Sequence, residues 1–391
     1  MKDKKMKVVV VGGGFGGVKT ALELANKQGI EVTLIAPTSN FEYHGALYRS
    51  ATGKSPLEVA IRIHDILNHA RNVTFVLDSI SGFLPQKNVV VGIDGDMYEY
   101  DYLVLAMGNQ VNYFGIEGMN EHASCMITVP AAIELRSKIV ALTRSLEKNP
   151  SVVIVGAGPT GTELAGDIQT FSDLITRKNS LPRKNFKVHL VEGGIRVLPT
   201  LHEKLSVKAL ARLQKLDVIV HLSSKVIGCK KDGLVLESGL LAADLVVWTA
   251  GSKPVDFYVN NEVYFELVKG RVVVDEYLRA KGHENVFVLG DNAATKYTGM
   301  AQTALHDALF VTRNLQRIKS NQDVTTYRAR VPIYVVPIGP RWAVLQTKKS
   351  LLTGYKAWLV RRRADLWIFK NFEPYKKAVK QWRSGNRTAQ F

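Results

Sequence analysis

One pattern occurs twice in this chain, and it limits the possible folds more than any other feature. "KVVVVGGGFGGVKTALELA" begins at Lys7, and "SVVIVGAGPTGTELAGDI" begins at Ser151. Each reads as a short valine-rich strand, then a glycine turn, then a helix. The glycines fall at Gly12, Gly14 and Gly17, and again at Gly156, Gly158 and Gly161, both as G-x-G-x-x-G. The first glycine makes the sharp turn and the second lets backbone approach a pyrophosphate. The third lets the helix pack against the strand with its N-terminus toward the phosphates. The glycine spacing alone is weak evidence, but here both copies follow a strand and open a helix. Two dinucleotide cradles of this kind imply an α/β chain with two Rossmann-like units.

The residues that follow separate the two. An acid normally ends the next strand and holds a ribose hydroxyl. After the first cradle that strand is "EVTLIAPTS", where the expected acid is Ala36; after the second it is "KVHLVEGG", which supplies Glu192. A carboxylate there favours a 2′-hydroxyl over a 2′-phosphate, hence NADH over NADPH. Further on, "RVVVDEYLRAKGHENVFVLGDNAA" offers a strand, Val286 to Leu289, ending in Gly290-Asp291. A carboxylate at that place can bind the ribityl hydroxyls of FAD. The chain thus starts an FAD domain (1–115), builds an NADH domain inside it (116–265) and returns to finish the first (266–340). A C-terminal region (341–391) follows, with amphipathic helices.

Composition excludes several classes. At 46% hydrophobic and 22% charged residues, the chain suits a globular protein with sizeable cores. No run approaches the roughly 18 apolar residues of a membrane span. The apolar run Val8 to Val11 is too short for a signal peptide, which points to a cytoplasmic address. The two cysteines, Cys125 and Cys229, form no C-x-x-C, and no histidine spacing suggests a metal. The net charge of +17 is uneven: from Arg341 onward there are 13 Lys or Arg against Asp365 and Glu373, leaving +11 of it in the last 51 residues. A basic tail of this kind suits an anionic membrane surface. Nucleic acid is a lesser option, because no recognition module is visible.

These motifs resemble the two-dinucleotide-domain flavoproteins, and within them the type II NADH:quinone oxidoreductases. "GGGFGG" is similar to that family's FAD loop, "VVIVGAGPTGTELAGDI" to its NADH loop including Glu163, and "VEGGIRVLP" to its ribose segment. "VFVLGDNA" resembles its second FAD motif. "MAQTALHDA" resembles its quinone-side A-Q-x-A-x-Q helix, with His306 in place of the last glutamine. Tyr43-His44-Gly45 stand where Phe-Gln-Pro is commoner. The resemblance extends the cofactor-binding set from the six glycines, Asp291 and Glu192 to Phe15, Ala106, Gly108, Pro159, Thr160, Gly251, Ala301 and Gln302. It also implies Glu163 close to the nicotinamide and flavin. Gln302 and His306, four apart on one helical face, are the side chains expected to meet a quinone.

The resemblance implies a peripheral membrane enzyme on the cytoplasmic side: NADH in, quinone out, FAD between, with no proton pumping. Without a thiol relay, the flavin itself must pass electrons on. A soluble NADH-dependent reductase with another acceptor and an NADH-binding redox sensor stay open, as does a homodimer. From Leu351 the pattern turns helical. Leu352, Tyr355, Trp358 and Leu359 recur at helical spacing, Arg361-Arg362-Arg363 follow, and Pro374 divides the segment in two. The expectation is that the stripe enters the headgroup zone, the arginines meet lipid phosphate, and a chain cut after Ser350 stays folded.

Overall fold

Each valine run is the central strand of a five-stranded parallel sheet. The computed structural model describes residues 5–145, 149–182 and 185–385. In the first sheet the strand order is Val286–Val288, Tyr102–Leu105, Met6–Val11, Ile30–Ala36, Val73–Leu77. In the second it is Ala123–Ser124, Leu245–Trp248, Ser151–Val155, Lys187–Val191, Val218–His221. Val8 and Val10 enter one apolar core while Val9 and Val11 enter another. A parallel strand covered on both faces must be apolar throughout, which is why these runs show no alternation.

The two halves repeat one plan. In each, a three-stranded antiparallel sheet precedes the strand that pairs with the central one: Ile80–Leu84, Val89–Gly92 and Met97–Glu99 in the first, Val226–Lys230, Gly233–Leu236 and Gly239–Ala242 in the second. The chain leaves the first half along Asn109–Val111 and returns along Ser252–Pro254, and these two segments pair antiparallel. Val286–Val288 then docks on Tyr102–Leu105. The architecture is therefore two Rossmann-like units, the second set inside the first.

The C-terminal region differs from the expectation. Leu351–Gly354 is not helical but the edge strand of a sheet with Tyr334–Pro337 and Ala343–Gln346. Gly354, at φ +85°, turns the chain, and the helix Tyr355–Lys370 starts there. A second helix, Tyr375–Ser384, follows Pro374 as anticipated. The arginines also behave differently: Arg363 is exposed, but Arg362 is buried and Arg361 is turned inward. The tail is no appendage. Phe369 and Phe372 are almost wholly buried, and Phe372 packs 6.0 Å from Phe15 and 4.2 Å from Phe41, ring centre to ring centre. Phe369 meets Tyr43 edge to face at 5.6 Å.

A chain cut after Ser350 would expose this aromatic cluster and its buried charges, so we expect it to be insoluble rather than folded. In the full chain, Phe369→Ala should cost about 3–5 kcal/mol, the usual loss for a deleted core phenylalanine. Denaturant unfolding measures it; a cost near zero would mean that the tail packs loosely.

Candidate active site

The glycine turns are built as their spacing requires. A side chain on Gly12 would collide with the Ala106 carbonyl, and one on Gly17 with the carbonyl of Gly12. In the second turn, Gly156 lies against Ala250, and Gly161 against the Gly156 carbonyl. The middle glycines differ: nothing lies within 4 Å of the position a methyl group would take on Gly14 or Gly158. Each middle glycine thus leaves room for a phosphate to approach backbone, and each turn opens a helix, Phe15–Leu24 or Pro159–Lys178. Pro159 sits at the first helical position, where its missing N–H costs nothing.

The two halves meet at a cavity of about 510 Å³. From the first half come Gly14, Phe15, Ala106, Gly108, Asp291 and Ala301; from the second come Thr160 and Gly251. Side chains fix this wall. Asn292, fully buried, bonds the Gly108 backbone twice, accepting from its N–H at 2.9 Å and donating to its carbonyl at 2.7 Å. Asn109 donates to the Asp291 carboxylate at 2.8 Å, and burial raises the pKa of Asp291. Asp307, also fully buried, accepts from the Gly290 N–H at 3.0 Å and from the Tyr327 hydroxyl at 2.6 Å. The open glycine cradles, the fixed Asp291 and the cavity between them fit FAD and a dinucleotide substrate.

At the second cradle, Glu192 accepts hydrogen bonds from the N–H groups of Ala157 and Gly194, each at 2.8 Å. Its carboxylate is thereby held beside the glycine turn. Arg196, the basic side chain nearest to it in sequence, donates instead to the carbonyls of Pro199 and Leu201. In the first half Ala36 ends its strand fully buried, so no carboxylate stands at the equivalent place.

Gln302 and His306 do share a helical face, as their spacing implies, but that face is already engaged. Gln302 bonds both the N–H and the carbonyl of Ile333, at 3.2 and 2.8 Å, and His306 contacts the Arg328 carbonyl at 2.9 Å. The helix Ala301–Lys319 turns Ala301 and Ala304 to the cavity instead. Both side chains hold the segment 328–333 against the helix.

Glu163 is buried one turn beyond Thr160. Burial pushes its pKa up to about 8; Arg361 opposes the shift, while Asp167 and Asp365 add to it. Arg361, on the C-terminal helix, lies 3.4 Å from Glu163 and 3.0 Å from Asp365, and also donates to the carbonyls of Val335 and Gly45. Behind it runs a buried cluster. Arg49 pairs with Glu58 at 2.6 Å and Asp365 at 3.3 Å; Arg362 pairs with the same two acids at 3.0 and 3.2 Å. The Tyr43 hydroxyl donates to Asp365 at 2.8 Å. The motif reading missed this cluster. Its one sequence signal is "RRRAD", in which Asp365 stands four and three residues after two arginines.

The comparisons with known proteins agree with this geometry. The pyridine nucleotide-disulphide oxidoreductase family matches residues 6–308. The Mycobacterium tuberculosis type II NADH:quinone oxidoreductase NdhA is 31% identical over 90% of this chain and 81% of its own length. The chain belongs to the type II NADH:quinone oxidoreductase family. The Staphylococcus aureus member is 27% identical over 93% of this chain and 95% of its own. Among solved structures, Plasmodium falciparum NDH2 in complex with NADH superposes with a TM-score of 0.85 at 17% identity, covering 98% of both chains. The sulfide:quinone oxidoreductase of Aquifex aeolicus gives 0.79 at 18% identity, over 97% of this chain and 92% of its own. These last two establish the shared fold.

The raised pKa of Glu163 has a stability consequence. The folded chain holds a proton there that the unfolded chain releases between about pH 4.5 and 8, so this group's contribution falls as pH rises through that window. Glu163→Gln should therefore lose less stability than the wild type between pH 5 and 8. Denaturant midpoints across that range test this; equally steep curves would mean that Glu163 is ionised throughout.

Proposed function

We propose that this chain is a peripheral membrane NADH dehydrogenase that uses FAD to oxidise NADH and reduces a membrane quinone without pumping protons. One observation carries the reading: a single cavity receives both the flavin-side wall, with Phe15, Ala106 and Asp291, and the NADH-side wall, with Thr160 and Gly251. FAD held there by Phe15, Ala106 and Asp291 would supply two-electron redox chemistry between NADH and the acceptor. The protein's part is to position and to hold protons. The glycine turns seat the pyrophosphates, Glu192 takes the ribose of NADH, and Glu163 keeps a proton near neutral pH beside the cavity wall. A relay of two thiols is not favoured, because Cys229 lies buried in the apolar core of the second half while Cys125 is part-exposed.

We divide the chain accordingly into an FAD-binding unit of 1–115 and 266–340, an NADH-binding unit of 116–265, and a membrane-attachment region of 341–391. Among the described residues no helix is long and apolar enough to cross a membrane. Attachment would instead use Leu351, Leu352, Tyr355 and Leu359, all exposed, with Lys348, Lys349 and Lys356 exposed beside them. Each basic residue at an anionic surface contributes roughly 1 kcal/mol. Such a surface on the cytoplasmic side brings the cavity close to lipid-soluble quinones.

Steady-state NADH oxidation with a panel of quinones, ferricyanide and oxygen tests the activity; a protein that reduces no quinone would sink the reading. Replacing Leu352 and Leu359 together by glutamate should abolish co-sedimentation with anionic liposomes at low salt and leave thermal stability nearly unchanged. Retained binding would move the attachment surface elsewhere. Glu192→Gln should narrow the preference for NADH over NADPH by roughly tenfold. A wild-type enzyme that prefers NADPH would exclude that role.

A further inference from the structure

We propose that His44 is the acid that gives a proton to a quinone oxygen as the quinone is reduced. This rests on the quinone reading above. Conversion of quinone to quinol takes two electrons and two protons. NADH brings two electrons and, in its hydride, one proton, so the other must come from solvent through the protein. In the proposed step an imidazolium N–H bond breaks and an O–H bond forms on the quinone, after which solvent reprotonates the ring.

Among the described residues lining the cavity, His44 and Asp291 are the only ones with titratable side chains. Asp291 is tied to Asn109 on the flavin-side wall. His44 lines the cavity with much of its surface exposed; loss of surrounding water lowers its pKa, and a bond to the Ile127 backbone opposes that shift. Neighbouring ionisable groups have other partners. Glu42 accepts from the Val129 N–H at 3.0 Å, and Tyr43 donates to Asp365. Arg361 grips Glu163, Asp365 and the Gly45 carbonyl. His44 bonds backbone rather than an acid, which leaves its imidazole able to exchange a proton with a molecule in the cavity.

Its position also fits. The 43–45 segment lies between the cavity and the helix Tyr355–Lys370, which reaches Gly45 through Arg361. The outer residues of that helix, Tyr355 and Leu359, continue the apolar surface of Leu351 and Leu352.

The test uses the FAD-loaded full chain. Ferricyanide accepts electrons without protons, so in His44→Ala the ratio of benzoquinone to ferricyanide turnover should fall at least about tenfold. Added imidazole should restore benzoquinone turnover in this variant and not alter the wild type. In protein labelled with ¹³C on histidine, a short-tailed benzoquinone added without NADH should shift the His44 ring signal, identified by its absence in His44→Gln. That size-matched variant also serves for kinetics should His44→Ala fail to retain FAD. Equal loss with both acceptors, no rescue by imidazole, or a ring signal indifferent to quinone would overturn the proposal. A wild type that reduces ferricyanide but no quinone would instead overturn the acceptor reading itself.

Discussion

The buried cluster of Arg49, Glu58, Arg362 and Asp365, with Arg361 reaching from it to Glu163, is the interaction on which the rest of the structure depends. It brings together three parts of the chain distant in sequence: the short helices at 47–58, the helix of the second glycine cradle, and the C-terminal helix. Removing ions from water is costly, and the cost is offset only when every charge finds several partners. Asp365 meets that condition with three arginines and a tyrosine. Breaking one member would leave an uncompensated buried charge, so the cluster fixes where the tail docks. It also accounts for the carboxyl of Glu163 holding its proton: burial outweighs Arg361 and Arg49, and Asp167 and Asp365 add to it.

The two cradles show how one physical solution serves different ends. Their turns are nearly interchangeable, with the same contacts at the outer glycines and the same open middle. They differ one strand away, where Glu192 stands in one half and Ala36 in the other. Flavin-side order comes from backbone grips by buried polar side chains, with Asn292 on Gly108 and Asp307 on Gly290.

Much of this was legible in the sequence, because strand, turn and helix signals are local. The valine runs, the glycine spacing, the return to the first unit at Val286 and the break at Pro374 each follow from a few neighbouring residues. What escaped reading depends on distant partners. Arg361 and Arg362 look like lipid-facing cations until Glu58, Glu163 and Asp365 are brought beside them. Gln302 and His306 fall on one face by spacing, but spacing cannot tell that 328–333 lies against it. Leu351–Gly354 carries helical periodicity yet pairs as a strand, since its partner Ala343–Gln346 and the turn at Gly354 outweigh a local preference. His44 showed only as a departure from the family pattern until the cavity placed it.

The paired segments Asn109–Val111 and Ser252–Pro254 have a consequence for how such a protein can change. The whole second half leaves and re-enters its host through two adjacent, antiparallel stretches, so its ends are neighbours. A unit with neighbouring ends can be lifted out and replaced without disturbing the strand order of the sheet that carries it. Exchange of that half would leave the flavin wall in place but would have to supply a partner for Arg361 where Glu163 now stands. Lineages sharing this frame could thus diversify their electron source by recombination at two points rather than by remodelling a pocket residue by residue.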